Sequence, residues 1–299
     1  MGPIGVFLRC TGRGDPAEAL AAVRSIGLRT IQISKLDDRY YSPQGAAEFK
    51  SLIESRGIQS TSVVIVFDGE SYQDVPTVMA TVGYRPAELL EERLDYSRRC
   101  VDFAQALGVG VVTVHMGFLP ADDADPAYAR LLGAVREVAR YSAERGVTLS
   151  LETGQESGEE LAQFLDKIPE YPVGVNFDFA NMVMYRVDDP TDALRRLLDR
   201  VTSVHVKDGL PPDSPNALGL ETPPGTGKAK VKECLEILHE ANFQGPLIIE
   251  NYTWRIGGDP HAAGFSGNED AIAWTADPLE SLTYAKEYVE RCLEEIGAA

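Results

Sequence analysis

The chain has 299 residues, 44% of them hydrophobic, and 46 acidic side chains against 28 Lys and Arg give a net charge of −18. A surface this acidic repels phosphate backbones and anionic headgroups. Nucleic acid and membrane surfaces are thereby excluded as partners, whereas a small anionic substrate held by a local cation is not. No apolar run approaches the ~18 residues of a membrane helix, and no basic segment followed by a hydrophobic stretch opens the chain. Val6 breaks the myristoylation pattern. The four cysteines, Cys10, Cys100, Cys234 and Cys292, form no Cys-x-x-Cys pair. The expectation is a soluble, cytoplasmic protein with reduced thiols.

In chain order, a first strand is predicted at 4–9 (IGVFLR), followed by a helix at 16–26 that opens with Asp15-Pro16 and ends at Gly27. Strand 30–34 (TIQIS) and helix 44–55, ending at Gly57, come next. Strand 60–67 (STSVVIVF) leads through a long loop, 68–86, to helix 87–107, which stops at Gly108. Strand 110–115, helix 127–144, strand 147–152 (VTLSLE) and helix 158–168 repeat the alternation. Strand 173–178 (VGVNFD), helix 190–199, strand 201–207 (VTSVHVK), helix 230–241, strand 246–250 (PLIIE) and helix 278–296 complete it. The strands are apolar on both faces for most of their length, as parallel strands covered on both sides should be. A Gly punctuates many helix-to-strand junctions.

Eight strand–helix units without a composition break predict an α/β fold, a single (β/α)8 TIM barrel over residues 1–299; such barrels take about 250 residues. A doubly wound sheet would carry a Gly-rich turn after its first strand, and Thr11-Gly12-Arg13-Gly14-Asp15 only loosely approximates one. The long loops at 68–86 and 251–278 would both emerge at the C-terminal face, where barrel active sites lie.

Glu152, Asp178, His205 and Glu250 end, or nearly end, the fifth to eighth predicted strands. All four would point into the barrel mouth. Three converging acids repel one another and are costly to desolvate unless something compensates them. One divalent metal resolves the repulsion, with His205 as a neutral nitrogen ligand. Oxygen-rich ligation with one imidazole favours Mn²⁺, with Mg²⁺, Co²⁺ or Zn²⁺ as alternatives.

The segments LSLE (149–152), the Asp178 strand, VHVKDG (204–209), PPGTGKAKVKECLEIL (223–238) and GPLIIE (245–250) resemble the xylose-isomerase-like barrels, the sugar phosphate isomerase/epimerase superfamily. The His-x-Lys-Asp run, the Gly-x-Gly loop, a helix and a strand ending in Glu are its most specific part. The resemblance implies the same four metal ligands in the same order. It also implies a metal that polarises a carbonyl and stabilises an enediolate, with Glu152 and Glu250 as both ligands and proton shuttles. His115 at the rim of the fourth strand, Asn181, Lys207, Trp254 and Arg255 are the candidate substrate contacts. The chain departs from the ketose 3-epimerases of this family in having Asn181 in place of a His and Pro211 in place of an Arg. Gln32 stands where many relatives have Glu. The expected ligand is a small sugar or polyol, and a homodimer is the default assembly.

The leading expectation is therefore a metal-dependent isomerase or epimerase. A lyase or dehydratase acting on a keto-polyol or 3-keto-glycoside is the alternative, since both begin with the same proton abstraction. The apurinic endonuclease branch of the fold needs many histidines and a basic surface, and this chain has four histidines. A non-catalytic carbohydrate-binding barrel would have no reason to retain all four ligands. The Arg13-Gly14-Asp15 tripeptide reads as part of a turn, and Gly225-Thr226-Gly227-Lys228 lacks the spacing of a phosphate loop.

Overall fold

A computed structural model describes residues 1–256 and 274–298. Its centre is a closed barrel of eight parallel strands: β1 (Ile4–Phe7), β2 (Thr30–Ile33), β3 (Gln59–Ile65), β4 (Val111–Val114), β5 (Thr148–Glu152), β6 (Val173–Asp178), β7 (Val201–Val206) and β10 (Leu247–Ile249). They run around the barrel in the order β1-β10-β7-β6-β5-β4-β3-β2. Two short strands, β8 (Asp208–Leu210) and β9 (Leu220–Thr222), form an antiparallel hairpin after β7. The helices are α1 (Pro16–Ser25), α2 (Pro43–Glu54), α3 (Val75–Thr81), α4 (Leu90–Leu107), α5 (Pro126–Ala143), α6 (Gly158–Asp166), α7 (Asn181–Met184), α8 (Pro190–Leu197), α9 (Val231–Glu240) and α10 (Pro278–Glu295). The TIM barrel expected from the alternation is the fold found.

Local chemistry fixes where these helices begin. Asp15 accepts from the Glu18 N–H at 3.0 Å with Pro16 at the helix start, which takes the Asp of the Arg-Gly-Asp tripeptide as a helix cap. Ser157 and Glu160 form a reciprocal capping box at α6. At Gly158 an added Cβ would lie 2.8 Å from the Ala193 Cα, so α6 and α8 can approach only because that residue has no side chain.

Several elements differ from expectation. The first strand stops at Phe7, and Leu8–Thr11 turn into a 3-10 helix that ends at Gly12, in the left-handed region with φ +68°. The rim segment 68–86 carries α3, capped by Asp74 on the Thr77 N–H at 2.8 Å. The hairpin β8–β9 and the single turn α7 were not anticipated. Residues 257–273 of the second rim loop lie outside the described residues. The strands are also less apolar inside than expected. Beneath the mouth, Gln32, Asn176 and Ser203 are buried and hydrogen-bond to one another across the barrel axis.

No helix among the described residues is long and apolar enough to cross a membrane.

Candidate metal centre

Glu152 and Asp178 are the last residues of β5 and β6, His205 is the penultimate residue of β7, and Glu250 directly follows β10. In the strand register Asp178 lies opposite His205, and His205 opposite Ile248, two residues before Glu250. The β6–β7 register shifts between Val175 and Asn176. A shift of this kind re-aims the residues beyond it. The four side chains are buried, and one potential ligand atom from each lies within 4.8 Å of the others. His205 Nδ1 is 2.9 Å from Glu152 Oε1, 2.9 Å from Glu250 Oε2 and 3.7 Å from Asp178 Oδ2. Sequence reasoning placed these four together, and the structure brings them together.

The arrangement fits a divalent cation on its own chemistry. Asp178 Oδ1 accepts from the backbone N–H groups of Ala180 (2.8 Å) and Asn181 (2.9 Å). Its other oxygen, Oδ2, and Glu250 Oε2 are buried and accept no hydrogen bond. Buried anionic oxygens without donors are expensive, and a cation among them removes the cost. Three carboxylates and one imidazole suit a hard or borderline metal better than a thiophilic one.

The imidazole is oriented from below. His205 Nε2 lies 2.7 Å from Gln32 Oε1, and the Gln32 amide nitrogen donates to Asn176 Oδ1 (3.3 Å) and Ser203 Oγ (3.4 Å). With its NH₂ so engaged, Gln32 presents its oxygen to the histidine, and Nε2 carries the proton. Nδ1 is thus the nitrogen left to face the carboxylates, an outer-shell device common around metal-ligating histidines. Gln32 was noted in the sequence only as a departure; its role was readable from its place on β2 but had no motif to announce it.

Each of the two glutamates has a basic companion. Lys207 Nζ is 3.5 Å from Glu250 Oε2, 3.7 Å from Asp178 Oδ2 and 3.9 Å from Glu221 Oε2. His115 Nε2 is 3.4 Å from Glu152 Oε1. Burial works against ionisation of Glu250, yet Lys207 and His205 outweigh it and hold the carboxyl down at about 2. Burial likewise opposes the charge on Glu152, and His115 and His205 overcome it, keeping the group well below the usual carboxylate range. At Asp178 burial prevails and the pKa is raised despite Lys207. Burial also disfavours a charged His205, but Glu152 and Glu250 push it well above its ordinary value.

A cavity of about 860 Å³ opens above the cluster. Glu152, Glu250, His115, Lys207, Asn181 and Arg255 line it, as do Glu70, Tyr72, Tyr185 and Glu221, which sequence reasoning did not assign to the site. Asn181 is committed structurally, since its Nδ2 donates to the Thr153 carbonyl at 2.8 Å. Trp254 lines a neighbouring groove instead of this cavity. The guanidinium of Arg255 lies over the Tyr252 ring, 4.2 Å from its centroid. Glu221 comes from the unanticipated hairpin, and burial raises its carboxyl to about 7 despite Lys207.

The loop after the hairpin is a carboxylate cradle. Asp208 accepts from the N–H groups of Gly209 (2.8 Å), Gly225, Gly227 and Ala229 (2.9 Å each). Within the Gly225-Thr226-Gly227-Lys228 stretch the two glycine N–H groups are therefore spent on this chain's own aspartate, and those of Thr226 and Lys228 on the carbonyls of Pro223 and Gly209, so the phosphate-loop likeness needs no phosphate.

Comparisons with known proteins agree with this fold. A solved xylose isomerase domain protein from Planctomyces limnophilus superposes with a TM-score of 0.84 at 29% identity, covering 100% of this chain and 99% of that one. A solved L-ribulose 3-epimerase superposes at 0.71 with 18% identity, covering 99% and 96%. An inosose dehydratase of Clostridium botulinum is 22% identical over 259 residues, 77% of this chain and 80% of that protein. The xylose isomerase-like TIM barrel family matches residues 20–283, nearly the whole of the barrel and its helices. The chain therefore belongs to the xylose isomerase-like TIM barrel family.

Proposed function

We propose that the protein is a divalent-metal-dependent sugar isomerase or epimerase in which Glu152, Asp178, His205 and Glu250 hold one metal, Mn²⁺ by preference. The carrying observation is the pair Glu152 and Glu250. Both lie 2.9 Å from His205 Nδ1, and they come from strands three positions apart around the barrel.

A cation bound by these four side chains supplies Lewis-acid polarisation of a substrate carbonyl, which acidifies the neighbouring C–H. The chain's own residues do the rest. One glutamate takes the proton from carbon, and the other, after drawing a proton from its Lys207 or His115 companion, delivers it to the same or the adjacent carbon, solvent exchange then restoring both groups. Lys207 and His115 keep the two carboxylates ionised beforehand, so both begin as acceptors. A carboxylate protonated beside an ammonium or imidazolium also gives its proton back readily. Tyr72 and Tyr185 line the cavity wall beside the cluster.

Elimination is the second reading, favoured by the inosose dehydratase relative. The first proton transfer is the same; a β-hydroxyl then leaves, and a protonated side chain must supply the proton that makes it water. Glu221, held near 7, is suited to that role.

Proton NMR of the Mn²⁺-loaded protein in D₂O with ketohexoses, inososes and 3-keto-glucosides tests both. Deuterium exchange with a new isomer is the expected result, and loss of water or an aglycone would establish the lyase. Absence of exchange and turnover across the panel, in protein carrying one metal per chain, would count against both.

A further inference from the structure

We propose that the substrate is anionic, carrying a carboxylate or phosphate at the end remote from its metal-held oxygens, and that a cationic groove beside the metal cavity receives it. The groove, about 500 Å³, lies between the turn after β1 and the segment after β2. Its charged lining is Arg9, Arg13, Lys35 and Arg255, with no acidic residue among the residues that line it. Arg9, Lys35 and Arg255 line the metal cavity as well, so one molecule can reach from the metal cluster into the groove.

Four like charges around one hollow are unfavourable unless something answers them. Among the described residues, the single carboxylate paired with any of the four is Asp68, on Lys35. Asp15, the nearest acid in sequence to Arg13, faces the first turn of α1 instead. In a chain of net charge −18 this is a local reversal of sign. Such a reversal retains an anion that the rest of the surface repels. Guanidinium groups also present paired donors to carboxylate and phosphate oxygens. Ser34 and the open backbone at Gly14 add polar surface, and Trp254 closes one side with an apolar face.

The sugar-like body of this substrate rests on the proposed metal function; the groove does not, and the two can fail separately. Calorimetric titrations of the Mn²⁺-loaded and the chelator-treated protein with D-fructose, D-fructuronate and D-fructose 6-phosphate are the test. An anionic sugar should bind the loaded protein about ten-fold or more tightly than D-fructose, a preference that weakens with added salt. Arg13→Ala and Arg9→Ala should each remove most of that preference while Mn²⁺ affinity stays unchanged. Preference for fructuronate alone identifies a sugar acid, and preference for the phosphate alone a sugar phosphate. If the anionic preference persists in chelator-treated protein that takes up no Mn²⁺, the groove stands and the metal function falls. Equal binding of all three sugars, binding of none, or a preference that survives both substitutions would overturn the proposal.

Discussion

At the scale of single residues, the site depends on side chains that touch neither metal nor substrate. Gln32 fixes which nitrogen of His205 faces the carboxylates, because its amide nitrogen is already engaged by Asn176 and Ser203. Gln32→Leu removes the acceptor and leaves the Nε2 proton unanswered. Mn²⁺ affinity measured by calorimetry should drop about 10- to 100-fold, the usual cost of losing an outer-shell partner. An unchanged affinity would mean that the imidazole is held by packing alone. Asp189 shows a different kind of dependence. It caps α8 through the Thr191 and Asp192 N–H groups and pairs with Lys230. Partial burial disfavours its charge, but the Lys230 ammonium and the Thr191 donors outweigh it and hold the carboxyl at about 2. Its folded value lies below the ordinary one of about 3.9, so its contribution is complete above that pH and is lost as pH falls from about 4 towards 2. Asp189→Ala should cost about 1 kcal/mol at neutral pH by loss of the cap. The gap in Tm between the two proteins should narrow as the medium is acidified below pH ~4.

At the scale of elements, the strand ends were legible because chemistry and periodicity coincide there. An acid closing VTLSLE, VGVNFD or PLIIE is conspicuous against an apolar strand, and the His of VTSVHVK falls one pleat from the same rim. Helix starts such as Asp15-Pro16 were legible for the same reason, a cap followed by an apolar period. The hairpin β8–β9 was not, since its strands are three residues each and its partner contacts are non-local. Glu221 was hidden with it, and α3 was hidden inside a segment read as loop although Asp74 and Pro76 mark its start. Arg9 and Lys35 gave no motif, because a groove lined from two successive βα turns exists only after the barrel closes. The segment after β9 illustrates how much one buried acid organises. Asp208 gathers four backbone N–H groups, and an added Cβ at Gly227 would lie 2.2 Å from its Oδ1. Asp208→Ala orphans these donors and should destabilise the fold by about 3 kcal/mol in chemical denaturation. A loss under about 1 kcal/mol would show that water replaces the carboxylate at little cost.

At the scale of the whole molecule, fold and charge act together. Closing the barrel places four polar strand ends on one rim and buries them, so that the acids lose water and gain a need for a cation. The net charge of −18 draws divalent cations towards the protein and repels anions, and the convergence of Arg9, Arg13, Lys35 and Arg255 reverses that sign locally. Affinity for nucleic acid is not expected from this surface. The four rim residues form a buried charged cluster whose geometry fits a metal, and the account rests on that coincidence.

The most direct measurement is anomalous diffraction from crystals soaked in Mn²⁺. The account predicts one strong peak per chain within coordination distance of Glu152, Asp178, His205 Nδ1 and Glu250 together. A crystal in which that position stays free of anomalous density, with the carboxylates still gathered around His205, would contradict it.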